Sequence, residues 1–123
     1  MKLAALTVPA STDHVRTARL VAVAIATQVG CTLDTVDDVR LAVGEACVLG
    51  LRQPPAAADP AAQLEVEFQL DAEGTLCIRV RPCALDEGLA TQVLTAVTPR
   101  ITTGSDEITL CWPVASGPTD SQS

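Results

Sequence analysis

Aromatic side chains are nearly absent from these 123 residues: there is one Phe, one Trp and no Tyr. Stacking platforms for bases are therefore missing, and a core must be assembled from Ala, Val, Leu and Ile. Positive charge is also scarce. Eight basic side chains, of which only Lys2 is lysine, stand against fifteen carboxylates, for a formal net charge of −7. No basic cluster exists to neutralise phosphates, so nucleic acid is not an expected partner. No apolar run reaches the roughly eighteen residues of a membrane span. The apolar stretch at Met1–Leu6 is too short for a signal-peptide core, so a cytoplasmic location is expected. His14 is the lone histidine, no CxxC pair occurs, and the five cysteines are odd in number and scattered. Neither a zinc site nor a disulfide framework is indicated, and buried reduced thiols are expected.

What remains is the balance of a globular protein, 48% hydrophobic and 19% charged, with one domain expected over residues 1–115 and a flexible polar tail over 116–123. Lys2–Val8 alternates as a short strand ended by Pro9. Ser11-Thr12-Asp13 supplies N-cap chemistry, and Val15, Ala18, Ala22, Ile25 and Val29 recur at helical spacing up to Gly30. Asp34 can cap a second helix with Val36, Val39, Val43 and Ala46 or Cys47 as its apolar positions, Asp37 and Asp38 in its first turn, and Gly50 near its end. Three prolines make residues 52–62 a loop. Gln63–Leu70 and Thr75–Arg81 alternate strictly on either side of the turn Asp71–Gly74, predicting a hairpin with one wet face. Asp86 or Glu87 can open a third helix with Leu89, Val93, Leu94 and Val97 inward, closed by Pro99. Ile108, Leu110 and Trp112 mark a last strand. The order β-α-α-β-β-α-β predicts an α+β two-layer sandwich: a mixed, mainly antiparallel sheet with helices on one face.

One segment carries information about function. Asp37-Asp38-Val39-Arg40-Leu41-Ala42-Val43-Gly44-Glu45-Ala46 resembles the N-box of the RsbW-type anti-sigma factors, small bacterial serine kinases with a histidine-kinase-like ATPase fold. Val15-Arg16-Thr17-Ala18-Arg19 followed by Gly30 resembles their first helix, and the later hairpin, short helix and closing strand fit the same family over about residues 3–114. Taken alone, Glu45 is an ordinary helical carboxylate; the resemblance makes it the family's general base. The departures are as informative. The family's Mg²⁺-coordinating Asn falls at Leu49, which offers no lone pair to a hard cation. The family's Asp-x-Gly-x-Gly box is represented only by Asp86 and Gly88, and the glycine-rich lid is missing. Glu45 would then be idle, with neither metal nor phosphate to act on, and no cofactor is expected, ATP and Mg²⁺ being disfavoured.

The resemblance implies instead a partner surface. Arg19 matches the family's sigma-contacting arginine and, with Arg16, becomes the candidate contact, because a guanidinium can grip a carboxylate bidentately. The bland alternative is a pair of solvated helix arginines. The expected function is an anti-sigma-like regulator that sequesters a sigma factor, is released by a competing STAS-type anti-anti-sigma protein, works without ATP hydrolysis, and can homodimerise. The alternatives are an active serine/threonine kinase of the RsbW type and a scaffold without a sigma partner. A redox version is also open: Cys77 and Cys111 fall on the polar side of their strands and can bond if their Cα atoms lie within about 7 Å.

Overall fold

The computed structural model describes residues 1–53 and 59–114. The chain runs β1 (Lys2–Pro9), α1 (Thr12–Gln28), α2 (Leu33–Leu51), β2 (Gln63–Leu70), β3 (Thr75–Arg81), α3 (Leu89–Val97), β4 (Arg100–Thr103) and β5 (Ile108–Pro113). The strands form one sheet in the order β1-β2-β3-β5-β4, and every pairing is antiparallel. The expected sandwich is present, but its sheet is not mixed. It also has a strand the alternation did not announce: β4 is four residues long, lies at the edge, and offers only Ile101 to the core, half-buried. The central part of the 52–62 loop and the expected tail at 116–123 lie outside the described residues.

Alternation explains the sheet's two faces. Leu64, Val66, Phe68, Leu76, Ile78, Val80, Ile108, Leu110 and Trp112 point to the helices and are buried. On the opposite face Glu67 receives Lys2 at 2.9 Å and Arg79, while Arg79 and Arg81 both reach Glu107 at about 4 Å. α2 is the central helix. It packs between α1 and α3 over the sheet, which buries it on nearly every side from Ala42 to Gly50. That is why its C-terminal half, interrupted only by Glu45, reads as near-continuous apolar sequence rather than a single stripe.

Three local expectations need correction. Thr32, not Asp34, caps α2, its hydroxyl accepting from the Thr35 N–H at 3.2 Å. Asp34 then lies in the first turn, one turn ahead of Asp37 and Asp38. α3 is opened by Gly88 rather than by Asp86 or Glu87, and its Leu89 is exposed instead of inward. Ser11 caps α1 as expected, accepting from the Asp13 N–H.

Candidate functional site

α2 supplies the candidate site's spine, and two glycines decide what can lie against it. Glycine inside a helix costs about 1 kcal/mol relative to alanine, so each calls for a packing reason. At Gly44 the reason is Arg19: a Cβ there would stand 2.9 Å from Arg19 Cδ and 3.3 Å from its Nη1. The arginine's stem thus crosses from α1 onto α2 where α2 has no side chain. At Gly50 the reason is backbone: a Cβ would stand 2.6 Å from the Pro82 carbonyl oxygen and 2.8 Å from Leu64 Cδ2. The segment after β3 is therefore pressed onto the end of α2.

Further contacts fasten that segment. The Cys83 thiol donates to the Ala46 carbonyl at 3.4 Å, and the Cys83 N–H to the Asp106 carbonyl at 3.1 Å. Asp86 is engaged by its own chain. Its Oδ1 accepts from the Gly88 N–H at 2.8 Å and the Thr91 hydroxyl at 2.9 Å, and its Oδ2 faces Arg52 at 3.6 Å. These hydrogen bonds, with Arg52 adding charge, hold the Asp86 carboxyl below the usual carboxylate range.

Glu45 lies half-buried on α2, next to Gly44, and among the described residues it has no ion-pair partner. Leu49, one turn further on, faces the core at 1% exposure. Among the described residues no group of His, Cys, Asp and Glu side chains is arranged to hold a metal ion. A Mg²⁺–nucleotide takes one or two oxygen ligands from the protein and keeps the rest as water and phosphate; Leu49 offers none, which leaves the carboxylates of Glu45 and Asp86. Position 49 carries a buried hydrocarbon, and Asp86 Oδ1 already accepts an N–H and an O–H, while Arg52 stands 3.6 Å from its Oδ2.

Arg16 and Arg19 lie on the exposed side of α1, and neither has an ion-pair partner among the described residues. They are not equivalent. Arg16 is a solvated side chain. Arg19 is anchored along Gly44, and its charge reaches the Cys47 thiol, partly offsetting the burial that pushes that thiol up to about 12. The structure brings Arg19 beside the helix turn that bears Glu45, but it forms no ion pair with Glu45. Sequence reasoning missed Gly44, Gly50 and Arg52. The two glycines were findable, since glycine in an apolar helix marks close approach. The meeting of Arg52 with Asp86 joins residues distant in sequence and left no local signal.

A family model for the histidine kinase-like ATPase domain matches residues 8–109. Among solved structures, the crystal structure of the RsbU and RsbW domains of Rv1364c from Mycobacterium tuberculosis is similar, with a TM-score of 0.62 and 20% identity. The match covers 91% of this chain and 34% of that one, so this chain spans about a third of its length. No curated protein sequence matches the chain.

Proposed function

Because the chain belongs to the histidine kinase-like ATPase domain family, we propose that it is an anti-sigma-like partner-switching regulator that acts by binding rather than by phosphorylation. The observation that carries this reading is the end of α2. Leu49 is packed into the core, and Asp86 is held by Gly88, Thr91 and Arg52. The N-box-like stretch Asp37–Ala46 and the fold shared with an RsbW-containing structure support the choice of family branch. Arg19 is the proposed anchor for a sigma factor, with Arg16 as its outer neighbour. A guanidinium whose stem is already laid on α2 loses less freedom on binding than a free one. The net charge of −7 favours encounter with a basic, DNA-binding partner. In this reading a STAS-type anti-anti-sigma protein competes for the same surface, the protein acts in the cytoplasm, and it can pair with a second copy.

A second reading, RsbW-type serine phosphorylation of the anti-anti-sigma protein, is favoured by one observation: Glu45 is half-buried and, among the described residues, has no ion-pair partner, so its carboxylate is free to take a proton. Titration calorimetry separates the two. The binding reading expects no heat with Mg-ATP up to millimolar nucleotide and one-to-one binding of a sigma factor that Arg19→Ala weakens. Phosphate transfer from ATP to a STAS-type protein, abolished by Glu45→Ala, would establish the kinase instead.

A further inference from the structure

Cys77 on β3 and Cys111 on β5 are direct cross-strand partners. Their Cα atoms are 4.2 Å apart and a disulfide joins them. That spacing is close to the roughly 4.5 Å of a non-hydrogen-bonded antiparallel pair. β3 and β5 are also paired through their backbones from Thr75–Pro113 to Val80–Ile108, so the ladder does not rest on the sulfur bond alone. The two sulfurs differ in access. Cys111 is buried at 3% exposure. Cys77 is half-buried and lines a shallow concavity on the open sheet face with Glu67, Gln69, Arg79, Glu107 and Thr109. Arg100, opposite Cys111 on β4, places Nη2 3.9 Å from Cys77 Sγ. The other cysteines offer no such setting: Cys47 and Cys83 are buried thiols, and Cys31 has no bonding partner. An accessible sulfur beside a cation, bonded to a shielded one, is the arrangement of an exchangeable disulfide rather than an inert staple.

We propose that Cys77–Cys111 is a thiol–disulfide exchange site whose co-substrate is a dithiol, with Cys77 as the attacked sulfur. One thiolate of the dithiol attacks Cys77 Sγ. The Cys77–Cys111 bond breaks as the mixed disulfide forms, and its electron pair goes to Cys111 Sγ, which takes a proton from water. The second thiolate of the dithiol attacks the dithiol's own sulfur in the mixed disulfide. Cys77 leaves as a thiolate beside Arg100 and is then protonated. The protein gains two electrons and two protons, and the dithiol loses the same.

The test uses the full native chain with dithiothreitol and glutathione as probes, read by alkylation and mass spectrometry. Protein purified in air without reductant should show three alkylatable thiols when denatured, and five after dithiothreitol is applied to the folded state. Under limiting reduced glutathione, the first adduct should sit on Cys77. In single variants, Cys111→Ser should form a mixed disulfide with oxidised glutathione at least about tenfold faster than Cys77→Ser, following accessibility. In the Cys111→Ser background, Arg100→Gln should raise the pH of half-maximal Cys77 alkylation, a readout that a merely structural role would not move. Five free thiols in the air-purified protein, a first adduct on Cys111, or reduction only in denaturant would overturn the proposal. The wild-type measurements stand even if a variant fails to fold. None involves a sigma factor or nucleotide, so failure here leaves the partner-binding reading intact.

Discussion

Arg19 lies across Gly44, its Cδ 2.9 Å from where that residue's Cβ would be. The contact joins the middle of α1 to the middle of α2 and sets the direction in which an exposed guanidinium is offered. Gly44→Ala should therefore separate stability from recognition. Alanine gains up to about 1 kcal/mol of helix propensity, and a flexible arginine stem can move aside, so unfolding free energy should change by no more than about 1 kcal/mol. Under the proposed function, binding of a sigma factor should weaken by about tenfold, or roughly 1.4 kcal/mol, because Arg19 loses its seat. Denaturant melts and titration calorimetry on the same variant check both halves.

Gly50→Ala should behave in the opposite way. Here the obstacle is the Pro82 carbonyl at 2.6 Å, which cannot rotate away as a side chain can. The end of α2 and the segment after β3 must part, at a cost of about 1–3 kcal/mol. A loss of stability several times larger than any effect of Gly44→Ala, in the same denaturant assay, is the expected outcome.

Leu49→Asn puts back the residue type that the RsbW resemblance calls for. It should not create nucleotide binding. Leu49 is 1% exposed and faces core side chains, so an amide there is buried without a partner while a well-packed leucine is lost. The expected cost is about 2–4 kcal/mol. Asp86 remains held by Gly88, Thr91 and Arg52. Calorimetry with Mg-ATP should stay flat while the melting temperature falls.

The elements that carry one wet face were legible in the sequence. Strict alternation placed β2 and β3, and the Ser11 cap placed the start of α1. The same alternation put Cys77 and Cys111 on the outer face; there they bond, against the expectation of five buried reduced thiols, because their register makes them direct cross-strand partners. β4 was not legible because an edge strand needs only Ile101 to face inward, and four residues after a proline show no period. The cap of α2 was misread because Thr32 and Asp34 are both good cap residues, and only the backbone decides between them. Glu45, Arg16 and Arg19 enter the candidate site only as what the family resemblance implies. What Gly44, Gly50 and Arg52 do there depends on which helix and loop lie opposite, and one strand of sequence does not contain that.

Reduction of Cys77–Cys111 should lower stability without unfolding the chain. The bond closes a segment of 34 residues containing α3 and β4. Loop-closure entropy for that length is worth roughly 4 kcal/mol, or about 10–15 °C in melting temperature for a domain of this size. The paired strands β3 and β5 keep their ladder and their buried face. Melts with and without dithiothreitol, followed by far-UV and near-UV circular dichroism, should show a lower midpoint and the same native baseline.

The acid limb of stability should carry a contribution from Glu67. A hydrogen bond from Lys2, with Arg79 adding charge, holds its carboxyl below the usual range. The folded value is thus lower than the unfolded one of about 4.3. The stability it contributes is complete above the unfolded value and is lost as pH falls through the folded value. Glu67→Gln should flatten that part of the pH–stability curve below about pH 4 while leaving Lys2 without its ion pair, and Arg79 with Glu107 alone, at neutral pH. Denaturant melts from pH 7 to pH 3 measure both effects.

The buried thiols govern the alkaline side. Burial pushes Cys47 and Cys83 up to about 12, against an ordinary value near 9.0. The unfolded chain therefore loses these protons from about pH 9, while the folded chain keeps them to about pH 12. Stability is complete below the unfolded value and declines above it, by about 1.4 kcal/mol per pH unit for each thiol between the two values. Cys47→Ala should remove one thiol's share of that slope and, at neutral pH, cost the packing of one small buried side chain. The measurement is unfolding free energy from pH 8 to pH 11 for wild type and variant. Parallel slopes would assign the alkaline limb to other groups.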